Sequence, residues 1–156
     1  MASKVKKAQL NVILKEDVSL NGKEYGNRVD LAIGGINEVS QRILTIPTTD
    51  PATTILNLSG SVGPGTYSMT NLKYARLTNL DNENFVRLSF ISASAAGTHY
   101  NRYDVKLEAN KTYIFTNSKI SGSDNGDGFG SFADFTDLRA KADSAAVDLE
   151  MFIASS

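Results

Sequence analysis

The sequence predicts an all-β protein: a single antiparallel β-sandwich, jelly-roll-like, of about eight to ten short strands. Three observations carry this. Apolar residues recur with a period of two, as in Leu10, Val12 and Leu14, and in Val29, Leu31 and Ile33. Turn residues punctuate these runs at short intervals, among them Asn21-Gly22, Gly34-Gly35, Asp50-Pro51 and Gly63-Pro64-Gly65. No stretch holds a convincing amphipathic helical period. The 156 residues, 41% hydrophobic and 21% charged, suit one domain over residues 1–156, with a flexible basic N-terminus at about 1–7.

Leu10, Val12 and Leu14 share one face of the first strand, with Gln9, Asn11 and Lys15 opposite and Ile13 out of pattern. Asn21-Gly22 is a hairpin signal. Val29, Leu31 and Ile33 then alternate with Arg28, Asp30 and Ala32, and pairing these two runs gives the first hairpin. Gly34-Gly35 breaks the pattern. The stretch from Ile36 to Ile46 fits strand or helix, and a strand is expected over Ile43 to Ile46, before Pro47. A short strand follows at Ile55 to Leu58.

Tyr74 to Leu80 puts Ala75, Leu77 and Asn79 on one face. Asp81 to Asn84 is a tight turn. In Phe85 to Ile91, Val86, Leu88 and Phe90 point inward, and Arg87 and Ser89 outward. Strands are expected at Tyr100 to Leu107 and Thr112 to Thr116. A Gly/Ser/Asp loop spans Ser121 to Ser131. Thr136 to Ala142 and Ala146 to Ile153 close the chain as a hairpin. Helix formers crowd Asp137 to Ala146, but Val147, Leu149 and Met151 alternate just after it, and a hairpin explains both runs.

Composition and motifs exclude several chemistries. With 16 basic and 17 acidic residues, the net charge of −1 offers no field for a nucleic-acid backbone. Lys4, Lys6 and Lys7 read as a solvated terminus. With no cysteine, disulfides, thiol nucleophiles and Cys-based zinc sites are absent. No apolar run follows the N-terminal residues, so no signal peptide is expected, and no stretch reaches the ~20 apolar residues of a membrane helix. The one histidine, His99, has no evident orienting partner, and no Gly-x-Ser-x-Gly elbow is present. Ser123 to Asp134 partly matches a calcium loop, with Asn125, Asp127 and Gly128 at the third, fifth and sixth positions. Ser at its first position, Gly130 at its eighth and Asp134 in place of the closing Glu argue for a solvated loop. No cofactor, no metal and no catalytic residue is expected.

Several phrases carry a resemblance: Tyr74-Ala75-Arg76-Leu77-Thr78-Asn79-Leu80-Asp81-Asn82, Phe85-Val86-Arg87-Leu88, Tyr103-Asp104-Val105-Lys106-Leu107-Glu108-Ala109, and the run from Ala140 to Glu150. Together they resemble small β-sandwich virion proteins of tailed bacteriophages, over about half the chain, mainly 74–109 and 138–153. The resemblance implies a structural component of the particle, either a capsid decoration protein or a neck or tail part. It carries no catalytic motif.

The expectation is therefore a non-enzymatic virion protein, made in the host cytoplasm and decorating the capsid. Its expected partners are other virion proteins, the major capsid protein first, and copies of itself, with a trimer favoured by the closed symmetry of homo-oligomers. No nucleic-acid or membrane partner is expected. The alternative is a tail or adhesin-type module that binds host-surface carbohydrate through exposed aromatics such as Tyr100 or Tyr103, although the chain has no Trp. Phe129, Phe132 and Phe135 cannot all alternate into one sheet face. They either plug the open end of the sandwich or, through Phe129 and Phe132, contact a partner.

Overall fold

A computed structural model describes residues 6–58, 67–92, 101–117 and 135–156. Among them the chain forms twelve strands and no helix. The strands are β1 (Ala8–Lys15), β2 (Val18–Leu20), β3 (Lys23–Tyr25), β4 (Arg28–Ile36), β5 (Glu38–Ile46), β6 (Thr53–Asn57), β7 (Leu72–Asn79), β8 (Val86–Ser92), β9 (Asn101–Leu107), β10 (Thr112–Phe115), β11 (Asp137–Ala142) and β12 (Val147–Ser155).

The last eight strands make the jelly roll. One sheet runs β10-β7-β12-β5 and the other β6-β11-β8-β9. The pairs β5 with β12, β6 with β11, β7 with β10 and β8 with β9 are nested about the β8–β9 connection, as in a long hairpin rolled up on itself. Every ladder is antiparallel. The period of two sorts each strand. Val86, Leu88 and Phe90 are buried while Arg87 is exposed. Leu138, Ala140 and Ala142 alternate with half-buried Asp137, Arg139 and Lys141. Leu72, Leu77, Leu88, Leu138, Leu149 and Ile153 are fully buried between the sheets. Each such side chain contributes roughly 1.5–3 kcal/mol by leaving water.

Residues 8–36 lie outside the roll as a two-stranded arm. β1 pairs with β4, as the sequence predicts, and the register sets Leu10 against Ile33, Val12 against Leu31 and Leu14 against Val29. Asn21 and Gly22 have φ of 53° and 75°, the left-handed pair that a type I′ turn needs. That turn closes a small hairpin of its own, β2 with β3, at the arm's tip. The arm adds these four strands to the eight of the roll. At its root the ladder shifts between Ala8 and Leu10, opposite Gly34-Gly35. Gly35 has a φ of 78°, which a side chain would strain. The Asn37 N–H donates to the Ser155 carbonyl at 2.8 Å, where the chain passes from arm into sheet.

The phrases that carry the resemblance prove to be fastenings of the roll. Asn79 is buried, yet its amide is satisfied: Nδ2 donates to the carbonyls of Asn84 at 2.9 Å and Leu107 at 3.2 Å. Its Oδ1 accepts from the Asp81 N–H at 2.9 Å. The Asp81 carboxylate in turn caps the turn. The backbone N–H groups of Asn84 and Glu83 hold its pKa below the usual carboxylate range. Ser144 Oγ donates to Asn84 Oδ1 at 2.8 Å, tying the last hairpin to the same corner. Glu150 on β12 accepts from Gln41 at 2.7 Å and pairs with Arg76 at 2.8 Å. These two contacts, Gln41 first, lower its pKa.

Candidate functional site

Three surface features stand out beyond the packing of the roll. The first is the arm. Its apolar ladder begins docked and ends bare. Leu10, Val12 and Ile33 pack against Ile36, Tyr74 and Ala154 on the outer face of the β10-β7-β12-β5 sheet, beside Phe152. The Tyr74 and Phe152 rings meet edge to face at 6.1 Å. Toward the tip, Leu31 is 47% exposed and Leu14 45%, and Val29, Val18, Leu20 and Tyr25 are exposed with them. On β5, next to the docking point, Val39 and Ile43 are also exposed on the sheet's outer face. Of the twelve exposed large hydrophobics among the described residues, nine lie between Ile13 and Ile43. The concentration matters, because singly scattered apolar residues need no explanation and a patch does.

The second feature is an aromatic cleft of about 290 Å³ where the edge strands β9 and β10 face each other. Phe90 is its floor, with Tyr113 at 5.7 Å, Tyr103 at 5.8 Å, Phe115 at 5.2 Å and Phe135 at 5.2 Å between ring centroids. Phe90 and Phe135 are buried, and Tyr103 is 48% exposed at the rim. Burial, with the hydrogen bond and charge of Tyr103, pushes the Tyr113 phenol up to about 12. The Tyr113 phenol therefore stays protonated at neutral pH.

The third is a groove of about 380 Å³ on the outer face of the β6-β11-β8-β9 sheet. Its floor holds Arg87 and Ser89 of β8, with Arg139 and Lys141 of β11 directly opposite. Arg102 of β9 flanks it, and Asp50, Pro51 and Ala52 form its wall. Ser89 points outward, as its strand position requires, but is 2% exposed because long polar side chains cover it. Asp104 is shared by two guanidiniums: it pairs with Arg87 and, at 2.8 Å, with Arg102. Desolvation raises the Asp104 pKa, but hydrogen bonds from Arg102, Ser89 and Arg87 outweigh it and the net shift is downward. Lys141 pairs with Asp50 at 2.6 Å.

The sequence-predicted site residues fare unequally. Phe129, Phe132, His99, Tyr100 and the Ser123–Asp134 loop lie outside the described residues. Phe135, the third of the phenylalanines, is in the core. Among the described residues no three of His, Asp and Glu stand close enough to hold a metal. No helix among them is long and apolar enough to cross a membrane. Sequence reasoning found the pairing of the arm's two long strands but not its exposure, and it missed the groove. Its signal was four cations at outward positions, Arg87, Arg102, Arg139 and Lys141, on three strands. Comparison with protein families, curated proteins and solved structures finds no match to this chain.

Proposed function

We propose that this chain is a non-enzymatic structural protein of a bacteriophage virion, a capsid decoration protein that assembles with copies of itself and seats on the major capsid protein. The phage element of this reading rests on the resemblance of the strand-and-turn phrases. The assembly element rests on one observation: the apolar arm. With Ile13 set aside because it faces the other side of the ribbon with Asp30, eight half-exposed side chains remain, six on the arm and two on β5, and at about 50 Å² each they offer roughly 400 Å² in all. A standard interface takes about 800 Å² per partner, of which roughly 57% is apolar, or a similar area. A second copy of this chain is the occupant that fits. The arm already docks its own apolar ladder on the outer face of one sheet, and the uncovered Val39 and Ile43 continue that face. Closed symmetry then favours a small ring such as a trimer.

The test is light scattering on the full chain carrying Leu14→Ser, Val29→Ser and Leu31→Ser together. The wild type is expected as an oligomer that adds to particles lacking it. The variant is expected as a folded monomer that does not. A wild-type monomer with no affinity for particles overturns the reading.

The aromatic cleft favours a second reading, a tail module that stacks a sugar ring on Tyr103 with Tyr113 as donor. Saturable binding of a neutral oligosaccharide, lost in Tyr103→Ala, would replace the first reading with this one.

A further inference from the structure

We propose that the groove on the outer face of the β6-β11-β8-β9 sheet binds an organic carboxylate, with Arg139 as its principal partner. Neither the jelly roll nor the assembly through the arm requires such a site.

The placement follows from register. Along β8 and its neighbours, Lys141, Arg87 and Lys106 stand side by side in one row across the sheet. Arg139, Ser89 and Asp104 form the next row, and Asp137, Ile91 and Arg102 the third. Like charges directly opposite one another destabilise a sheet unless something compensates them. Most are compensated. Lys141 has Asp50, Lys106 has Glu108 at 2.7 Å, and Arg87 and Arg102 share Asp104.

Arg139 is the exception. Among the described residues its one ion pair, Nη2 to Asp137, is loose at 3.7 Å. Its Nε is buried and, among the described residues, is the one buried side-chain polar atom without a hydrogen-bond partner. Leaving a guanidinium N–H buried and unpaired is unfavourable. Arg139 lines the floor of a cavity large enough for a small organic molecule, in the lower part of the range of known ligand sites. The groove's own cations, Arg87, Arg102, Arg139 and Lys141, outnumber its facing carboxylates, Asp50, Asp104 and Asp137.

The Nε and Nη donors of an arginine form a planar fork that matches the two oxygens of a carboxylate. The Arg139 side chain is 40% exposed although its Nε is shut off from solvent, so an incoming carboxylate takes the Nη edge of the guanidinium. Arg102 adds charge from the next strand but one, and the Ser89 hydroxyl beneath it bonds both Arg102 and Asp104 and so holds them in place. The wall at Asp50 to Ala52 limits what the carboxylate can carry. Asp137 competes for the same guanidinium and so sets the affinity low. The carboxylate could come as a free small acid or as part of an acidic sugar, and both present the same group to Arg139.

The experiment is calorimetric titration of the full-length protein with acetate, glucuronate and glucose at constant ionic strength. Glucuronate is expected to bind saturably and glucose not at all. Acetate binding as tightly as glucuronate identifies the bare carboxylate as the ligand, and a large preference for glucuronate shows that the groove holds the sugar as well. Arg139→Gln is expected to weaken binding about tenfold or more, because it removes a charge-assisted bidentate pair. Arg139→Lys is expected to weaken it nearly as much, since an ammonium has no fork. Asp137→Asn is expected to tighten it several-fold. If Arg139→Gln fails to fold, Arg102→Gln carries the test with a smaller expected loss. Binding unchanged by these substitutions, glucose binding equal to glucuronate, or no saturation with any acid overturns the proposal. Mass by light scattering is expected to stay the same in all these variants, so failure here leaves the assembly reading untouched, and failure of assembly leaves this one.

Discussion

The jelly roll and the arm use the same strand grammar to opposite ends. In β7, alternate residues Ala75, Leu77 and Asn79 face a second sheet and are buried. In β4, alternate residues Val29 and Leu31 face nothing in the monomer and are half exposed, although they pair across the ladder with Leu14 and Val12 as regularly as any residues in the roll. The difference lies in the layers, not in the strands. A two-stranded ribbon has no second layer to cover its apolar face, and an isolated hairpin is at best marginally stable in water. The arm persists because its root is held on Tyr74 and Phe152 and its chain runs straight on into β5. A region with strands but no covering layer therefore leaves its apolar face in solvent unless a partner covers it.

The sharpest way to test this comparison is to cut the same residue in both regions. The larger effect is in the roll. Leu77 is fully buried, between Met151 on one side and Tyr113 on the other in the same sheet. Leu77→Ala is expected to destabilise the protein by about 2–5 kcal/mol, the range for emptying a core site that cannot collapse. Urea unfolding followed by circular dichroism measures it. A loss under about 1 kcal/mol would mean that the two sheets are not packed as described.

How much of this was readable in advance depends on what a period of two can say. It fixes which residues share a face, and so the pairing of Leu10 to Leu14 with Val29 to Ile33 was legible. So was the strand reading of Leu138, Ala140 and Ala142, over a helix propensity that pointed the other way. Pairing with β6 and β8 on either edge, together with burial of one face of β11, outweighs propensity there. It does not say what lies against a face, so the exposure of Leu31 and the burial of Leu77 look alike in sequence. The stretch between Ile36 and Ile46 was half read. Its strand begins at Glu38, because pairing with β12 continues to Ser155 and overrides the mixed local pattern. The groove was the least legible feature. Arg87 and Arg139 are remote in sequence and meet only through the β8–β11 ladder, which no local pattern announces.

A smaller effect is expected at a corner where the roll depends on polar rather than apolar contact. Asn79 serves three backbone groups from one buried side chain. In Asn79→Ala the carbonyls of Asn84 and Leu107 and the Asp81 N–H lose their partner. One buried group left unpaired costs about 1–3 kcal/mol. Water reaching the exposed side of the turn offsets part of this, so the expected loss is about 2 kcal/mol. Thermal unfolding is the measurement, with a midpoint roughly 4–8 °C lower for a chain of this size. An unchanged midpoint would show that the resemblance phrases are not fastenings and that Asn79 is held for some other reason.

The smallest effect, and the most informative, is Leu31→Ala. Leu31 touches Val12 across the ladder and is otherwise half in solvent. A cross-strand contact of this kind contributes about 0.2–1 kcal/mol. In dilute protein, where the monomer dominates, the variant is expected to lose about 0.5 kcal/mol, close to the scatter of ordinary surface substitutions. Assembly changes the reference state. If Leu31 is buried against a second copy, association stabilises the folded chain by mass action, and wild-type stability rises with concentration. Leu31→Ala should then fall progressively behind the wild type as concentration increases, while Leu77→Ala keeps a nearly constant deficit as long as it still assembles. Melting curves of the three proteins over a wide dilution series separate the two patterns. If the gap between Leu31→Ala and the wild type does not change with concentration, the arm's apolar face has no partner in a second copy, and the contrast between arm and roll reduces to a difference in exposure alone.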